Sequence, residues 1–267
     1  MSSPPVSLST RSARNSVVCQ GTLELSIVVP AFNEEQRLPK TLQSIRDYLK
    51  SRSLRAEVLV VDDGSTDATA KVVECSQKWF PELQLLSNNG NRGKGFSVRQ
   101  GMLEARGEIA LFTDADLSAP IEEADKLLAV LREGAYDGAI GSRAVDRRLI
   151  EVHQSAFRER AGILFNAMVR WLTGLPFKDT QCGFKAFRHE RARVIFEQQR
   201  TEGFGFDPEI LFLAQRAGLR IAEVPVRWAH HPATKVNLLR DSVRMFVDLL
   251  AVRWNAWMGR YSGETRQ

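Results

Sequence analysis

Two carboxylates one residue apart, Asp114 and Asp116, stand directly after a short apolar run at 109–113. Such a run reads as a buried strand, and Pro120 beyond it reads as the first turn of a helix. The pair is therefore carried to the C-terminal edge of a sheet, where open α/β sheets bind ligands. A hard divalent cation that bridges to diphosphate oxygens uses one or two such carboxylates, with substrate and water filling its other positions. Surface loops often carry Asp pairs with no such role. What separates this pair from those is its company upstream.

Two more acidic loops follow apolar runs. The run at 25–29 ends in Pro30-Ala31-Phe32-Asn33-Glu34-Glu35, and the run at 57–61 ends in Asp62-Asp63-Gly64-Ser65-Thr66-Asp67. Ser65, Thr66 and Asp67 are N-cap types for a following helix, and Gly64 suits a tight turn. Each loop alone is an ordinary strand-to-helix connection. Three at successive strand ends predict one acidic crevice on one sheet edge. Such a crevice repels a nucleoside diphosphate unless cations offset it. Asn91-Arg92-Gly93-Lys94-Gly95 supplies them after a further run at 83–86, where glycines and a Lys open a helix. It is not a Walker A sequence.

In this order the four segments resemble family 2 inverting glycosyltransferases of the GT-A fold. Lys178-Asp179-Thr180-Gln181-Cys182-Gly183-Phe184-Lys185, followed by Phe204-Gly205-Phe206-Asp207-Pro208-Glu209, is similar to the dolichyl-phosphate glucosyltransferases and, less closely, to the dolichyl-phosphate mannose synthases. The likeness covers about residues 24 to 250. It implies a mostly parallel, Rossmann-like α/β sheet flanked by helices. It implies transfer of glucose from UDP-glucose to a polyprenyl phosphate with inversion, or of mannose from GDP-mannose. By the same matching, Pro30, Phe32, Glu34, Val61, Asp63, Lys94, Asp114, Ala115 and Asp116 line the donor nucleotide. Asp114 and Asp116 are the ligands for Mg²⁺ or Mn²⁺. Arg143 meets phosphates with its fork, and Lys235 matches a phosphate-binding Lys. The Arg expected before Lys235 is missing, and His230 or His231 stands in. Phe32 replaces a commoner Tyr, and Ser118 replaces the Gln of mannose synthases. Asp207 matches the general base of sugar-acceptor relatives and is given an orienting role here. Two other classes stay open: a sugar-phosphate nucleotidyltransferase, which gives no reason for the Asp179–Lys185 run, and a non-catalytic nucleotide-binding protein at a membrane surface.

At 267 residues and 43% hydrophobic, the chain can bury one sizeable α/β core. Strands alternate with helical segments up to about residue 141, the pattern of a parallel sheet. Further strands are expected at 136–141, 183–187 and 220–226. Residues 1–21 are Ser-, Pro- and Arg-rich and read as a disordered tail without the apolar stretch of a signal peptide. The glycosyltransferase domain is placed at 22–234, and an amphipathic membrane-surface segment at 235–267. Cys19, Cys75 and Cys182 have no C-x-x-C spacing, which fits a reducing compartment. Cys182 reads as a packed side chain, and the four His give no zinc pattern.

No run reaches the ~18 apolar residues that span a bilayer. From Arg216 onward Lys and Arg outnumber Asp and Glu nine to four. There, 236–250 has helical spacing, with Trp254 and Trp257 following. Basic residues beside apolar and Trp faces suit a helix lying in an anionic interface, or equally a helix packed on the core. The stretch 157–171 has the same ambiguity. The expected partners are a nucleotide sugar, a polyprenyl phosphate and a membrane surface, with no nucleic acid. The expected location is peripheral, on the cytoplasmic face of a membrane.

Overall fold

The computed structural model describes residues 22–152, 156–230 and 238–261. The first half alternates strand and helix: β1 (Leu25–Ala31), α1 (Leu38–Arg52), β2 (Ala56–Asp62), α2 (Thr69–Ser76), β3 (Leu83–Ser87), α3 (Lys94–Glu104) and β4 (Ile109–Phe112). A 3₁₀ turn after Pro120 leads into α4 (Ala124–Arg132) and then β5 (Gly138–Ser142). The second half comprises β6 (Ile150–Val152), α5 (Ala156–Thr173), β7 (Lys185–Arg188), α6 (His189–Gln198), α7 (Phe206–Arg216), β8 (Ile221–Pro225), β9 (Trp228–Ala229) and α8 (Leu238–Trp257).

The main sheet runs β3-β2-β1-β4-β7-β5-β8, and β6 pairs with β9 in a separate ribbon. The β1, β2 and β5 segments are buried along their whole length, as near-continuous apolar strands covered on both faces must be. Alternate residues serve opposite faces. Ile27, Val29, Val58 and Val60 join Leu42 of α1, Val73 of α2 and Leu127 of α4 in one core. Val28, Leu59 and Val61 join Met102 of α3, Phe196 of α6 and Ile210 of α7 in the other.

The chain starts at β1, builds outward through β2 and β3, then returns to the far side of β1 as β4. This reversal opens a crevice between the C-terminal ends of β1 and β4, the usual ligand position in such sheets. The expected strands at 136–141, 183–187 and 220–226 are β5, β7 and β8, displaced by one or two residues. One of them departs from the simple parallel pattern. β7 runs antiparallel to both β4 and β5, with Phe112 opposite Lys185. The residues that precede β7 therefore reach the same edge as those that follow β4.

The C-terminal helix packs on the core along one side and leaves apolar residues exposed along the other. Leu249 and Val252 are fully buried in the second core, and Tyr261 beyond the helix donates its hydroxyl to Glu209 of α7 at 2.7 Å. Its other side exposes Val243, Val247, Leu250, Trp254 and Trp257. The neighbouring α5 exposes Ile163, Leu164 and Trp171.

Candidate active site

The first two acidic loops are bound to each other before any ligand is considered. Asn33, in a left-handed conformation at φ 55°, accepts from the Thr66 amide at 2.8 Å. Ser65 Oγ accepts from the Asn33 amide (2.9 Å), and Thr69 Oγ1 accepts from the Glu34 amide (2.7 Å). Asp67 accepts from the Thr69 amide (2.9 Å), capping the start of α2, and the Glu35 carboxylate accepts from the Ala68 amide (2.9 Å). Ser65 and Thr66 were expected as helix caps; they instead join the two loops.

Asp63 is committed in the same way. Its carboxylate accepts from Asn88 Nδ2 (2.7 Å) and from the amides of Arg92 (2.9 Å) and Gly93 (2.7 Å). It thereby fixes the loop that opens α3. Asp62 receives the Ser65 hydroxyl and amide. The acidic crevice read from the sequence is thus largely satisfied internally. Amides stabilise these carboxylates where they stand.

The carboxylates aimed into the crevice are Asp114 and Asp116. Leu117 adopts φ 47° and its amide donates to Asp114 O at 3.0 Å, closing a tight turn. A branched side chain in the left-handed region is uncommon, and strained backbone of this kind clusters at functional sites. Lys94 Nζ lies 2.5 Å from Asp114 Oδ1. Asp116 accepts from the Ser118 amide at 3.0 Å through Oδ1, and its Oδ2 lies 3.9 Å from Arg37 Nη1. Arg37 forks onto Glu34, Nε to Oε2 and Nη2 to Oε1, both 2.6 Å. That hydrogen bond, ahead of the nearby Asp116 and Asp114 charges, raises the Arg37 guanidinium pKa. The sequence reading missed Arg37. Its position three residues after Glu34, immediately before the next helix, was the available signal.

Pro30, Val61 and Ala115 are buried, Val61 and Ala115 within the two cores, and Pro30 pairs with Val61 across β1 and β2. Backbone is what they can offer a nucleotide. Phe32 is half-buried at the rim.

The run before β7 forms the opposite wall, and nearly every residue in it has a mechanical task. Asp179 takes a bidentate hydrogen bond from Arg143, Nε at 2.7 Å and Nη2 at 2.8 Å, plus the Arg143 amide at 3.0 Å. Burial alone would raise the Asp179 carboxyl; the Arg143 charge and hydrogen bonds override it and lower it to about 2. Thr180 donates its hydroxyl to Asn166 Oδ1 of α5 at 2.9 Å, which accounts for the polar break in that helix. Gln181 Nε2 reaches Met245 Sδ of α8 at 3.9 Å. Burial pushes the Cys182 thiol up to about 12, so it is inert as a nucleophile. At Gly183 a Cβ would overlap the Asp114 carboxylate, so glycine leaves the room that carboxylate occupies. Lys185, fully buried, donates to Cys182 O at 2.6 Å and to Asp207.

Asp207 is in the first turn of α7 and buried. Burial raises its carboxyl, against the pull of Lys185 and Lys94. Arg143 meets Asp179 with the edge that was expected to meet phosphates. Its guanidinium also lies 5.4 Å from the centre of the Trp228 ring, and Trp228 in turn stacks on His230 at 6.1 Å. The Ala229 amide holds the loop of Ser118 at 2.8 Å, so the short ribbon roofs the Asp114 turn. Lys235 and His231 lie outside the described residues.

Asp114 and Asp116 fit a hard divalent ion, because they present carboxylate oxygens on one turn. Among the described residues no group of three or more His, Cys, Asp or Glu is arranged to hold a metal.

Residues 26–196 match Glycosyl transferase family 2. The chain is 40% identical over 244 residues to the dolichyl-phosphate beta-glucosyltransferase of Drosophila melanogaster, covering 86% of this chain and 74% of the relative. It is 35% identical to the human protein of the same name, covering 87% and 75%. Among solved structures it resembles a glucosyl-3-phosphoglycerate synthase from Mycobacterium tuberculosis in complex with Mn²⁺, UDP and glucosyl-3-phosphoglycerate. The TM-score is 0.64 at 20% identity, over 87% of this chain and 79% of the other. That likeness establishes the GT-A arrangement of sheet and helices. On sequence and fold together, the chain is a glycosyltransferase and belongs to glycosyl transferase family 2.

Proposed function

We propose that this protein transfers glucose from UDP-glucose to the phosphate of a polyprenol, with inversion, at a membrane surface. The names of its relatives support the sugar and the acceptor class. The observation that carries the acceptor chemistry is the buried Lys185–Asp207 pair. A sugar hydroxyl needs a base to take its proton as it attacks. Asp207 stands where such a base is expected, yet its carboxylate is held by Lys185. A phosphate monoester, with a second pKa near 6, is already anionic at neutral pH and needs no base. In the step itself an acceptor oxygen bonds to the anomeric carbon from the face opposite the diphosphate. The old C–O bond breaks and its electron pair leaves with UDP.

The chain's task is to hold two anions together. Phe32, Glu34 and the backbone around Pro30, Val61, Asp63 and Ala115 line the donor. Lys94 and Arg143 supply positive charge, with Lys235 close by in sequence to the Trp228 ribbon. Mg²⁺ or Mn²⁺ held by Asp114 and Asp116 would offset the charge gathering on the departing diphosphate. The exposed apolar residues of α5 and α8 are of the kind that enter the acyl boundary, and the basic C-terminal segment favours anionic lipid. No helix among the described residues is long and apolar enough to cross a membrane.

The test is purified protein with a short polyprenyl phosphate, the matching free polyprenol, and labelled UDP-glucose and GDP-mannose. Transfer from UDP-glucose to the phosphate is expected. Preference for the free alcohol would overturn the acceptor chemistry, and preference for GDP-mannose would overturn the donor.

A further inference from the structure

The metal-ligand turn already has a cation on it. Lys94 Nζ sits 2.5 Å from Asp114 Oδ1, within the field of Asp116 and Asp207 as well. Its backbone cannot retreat. Lys94 is the first residue of α3, and Gly93 before it has φ 105°. A Cβ at Gly93 would strike the Glu202 carbonyl, and one at Gly95 would strike the Thr201 carbonyl, so this helix start is wedged against the 201–203 segment. The Asp63 carboxylate pins it from the other side. The ammonium can therefore swing on its stem while its tether stays fixed.

We infer that Lys94 is an internal counter-ion that occupies the divalent-ion position in the nucleotide-free protein and must be displaced for that ion to bind. This rests on the nucleoside-diphosphate reading of the site. A dication on Asp114 and Asp116 cannot share Asp114 with an ammonium in contact, because the two repel at close range. Once displaced, the Lys94 side chain has two anions within its arc: Asp207, whose charge it already feels, and the donor diphosphate. Lys94 thus penalises metal binding alone and rewards metal binding with nucleotide. Reciprocity then requires each ligand to tighten the other.

The test is Mn²⁺ binding, read from the electron-spin-resonance signal of the free ion, with and without UDP and with no sugar acceptor. Wild type should bind Mn²⁺ weakly alone and at least about tenfold more tightly with UDP. Lys94→Met should bind Mn²⁺ alone at least about tenfold more tightly than wild type, and the added effect of UDP should shrink by a similar factor. Lys94→Arg, which keeps the charge, should behave like wild type. Lys94→Gln repeats the neutral arm should the Met variant not fold, as checked by circular dichroism. If UDP tightens Mn²⁺ in wild type but the neutral variants bind Mn²⁺ alone no better, Lys94 is not the competitor and the donor reading stands. If UDP fails to tighten Mn²⁺ in wild type, the donor reading falls and takes this inference with it.

Discussion

The two walls of the crevice are held together by different means. On the wall formed after β1, β2 and β4, carboxylates and hydroxyls are satisfied mainly by backbone amides within a few residues of the strand ends, as with Asp63, Asn33 and Asp67. On the wall formed before β7 and α7, buried charge pairs between distant side chains do the work: Arg143 with Asp179 and Lys185 with Asp207. Amide-held loops depend on local chain geometry and tolerate change at the side chains that face a ligand. Charge pairs depend on the whole far half of the chain being in place, and that wall also adjoins the exposed apolar helices.

Breaking the far wall should give the largest effect. Lys185→Met leaves Asp207 buried without its cation, and removal of one partner of such a pair costs about 3–5 kcal/mol. Denaturant unfolding should show that loss, and adding Asp207→Asn should restore much of it. If Lys185→Met is as stable as wild type, the second wall does not rest on this pair. On the near wall, Asp116→Ala should lower transfer by about 10²- to 10³-fold while the melting temperature barely moves, since the residue sits on a turn outside the core. A parallel fall in stability would mean the near wall is not independent of its ligand-facing residues.

The comparison sharpens in acid. The Asp179 carboxyl is lowered to about 2 in the fold, from about 3.9 in the unfolded chain. A depressed carboxylate contributes stability that is fully present above the unfolded value and is lost as pH falls from about 4 toward 2. Asp179→Asn should therefore flatten the drop in unfolding free energy between pH 5 and pH 2 by about 2 kcal/mol. An unchanged acid profile would remove Asp179 from the account. The smallest effect belongs to the outer face. Trp254→Ser with Trp257→Ser should weaken partition onto anionic vesicles by about tenfold, leaving transfer to a short-chain acceptor near normal. Sedimentation with vesicles measures it, and undiminished binding would detach α8 from the membrane role.

Much of the near wall was legible because its signals are local. Apolar runs ending in Asp, Asn or Glu mark strand ends, and the glycines before Lys94 mark the start of α3. What those polar residues do was less legible. Asn33 and Ser65 are 32 positions apart, and nothing in either loop announces that they bond to each other. The far wall was named by likeness and not understood from its residues. An apolar run carries no direction, so 183–187 gave no hint that β7 would run antiparallel. Without that, the Asp179–Lys185 run seems to lie on the wrong side of its strand. Nothing in the 157–171 stretch announces that its Asn166 receives the Thr180 hydroxyl. Arg37 was passed over because its carboxylate partner, Glu34, was read as a ligand for something else.

The antiparallel β7 also sets a timetable for the nascent chain. The β1 partner of β4 precedes it in the chain, but its other edge must wait for residues more than 70 positions later. At synthesis rates of about 5–20 residues per second, that edge stays open for roughly 4–14 s. An uncovered apolar strand is a template for pairing with another chain. A fragment ending near residue 150 should accordingly aggregate where one ending near 230 does not, and light scattering during cell-free synthesis would show whether it does. The strand that completes the crevice is also the one that joins β4 to β5 in the sheet, so a chain still able to aggregate through this edge is one that does not yet have a crevice.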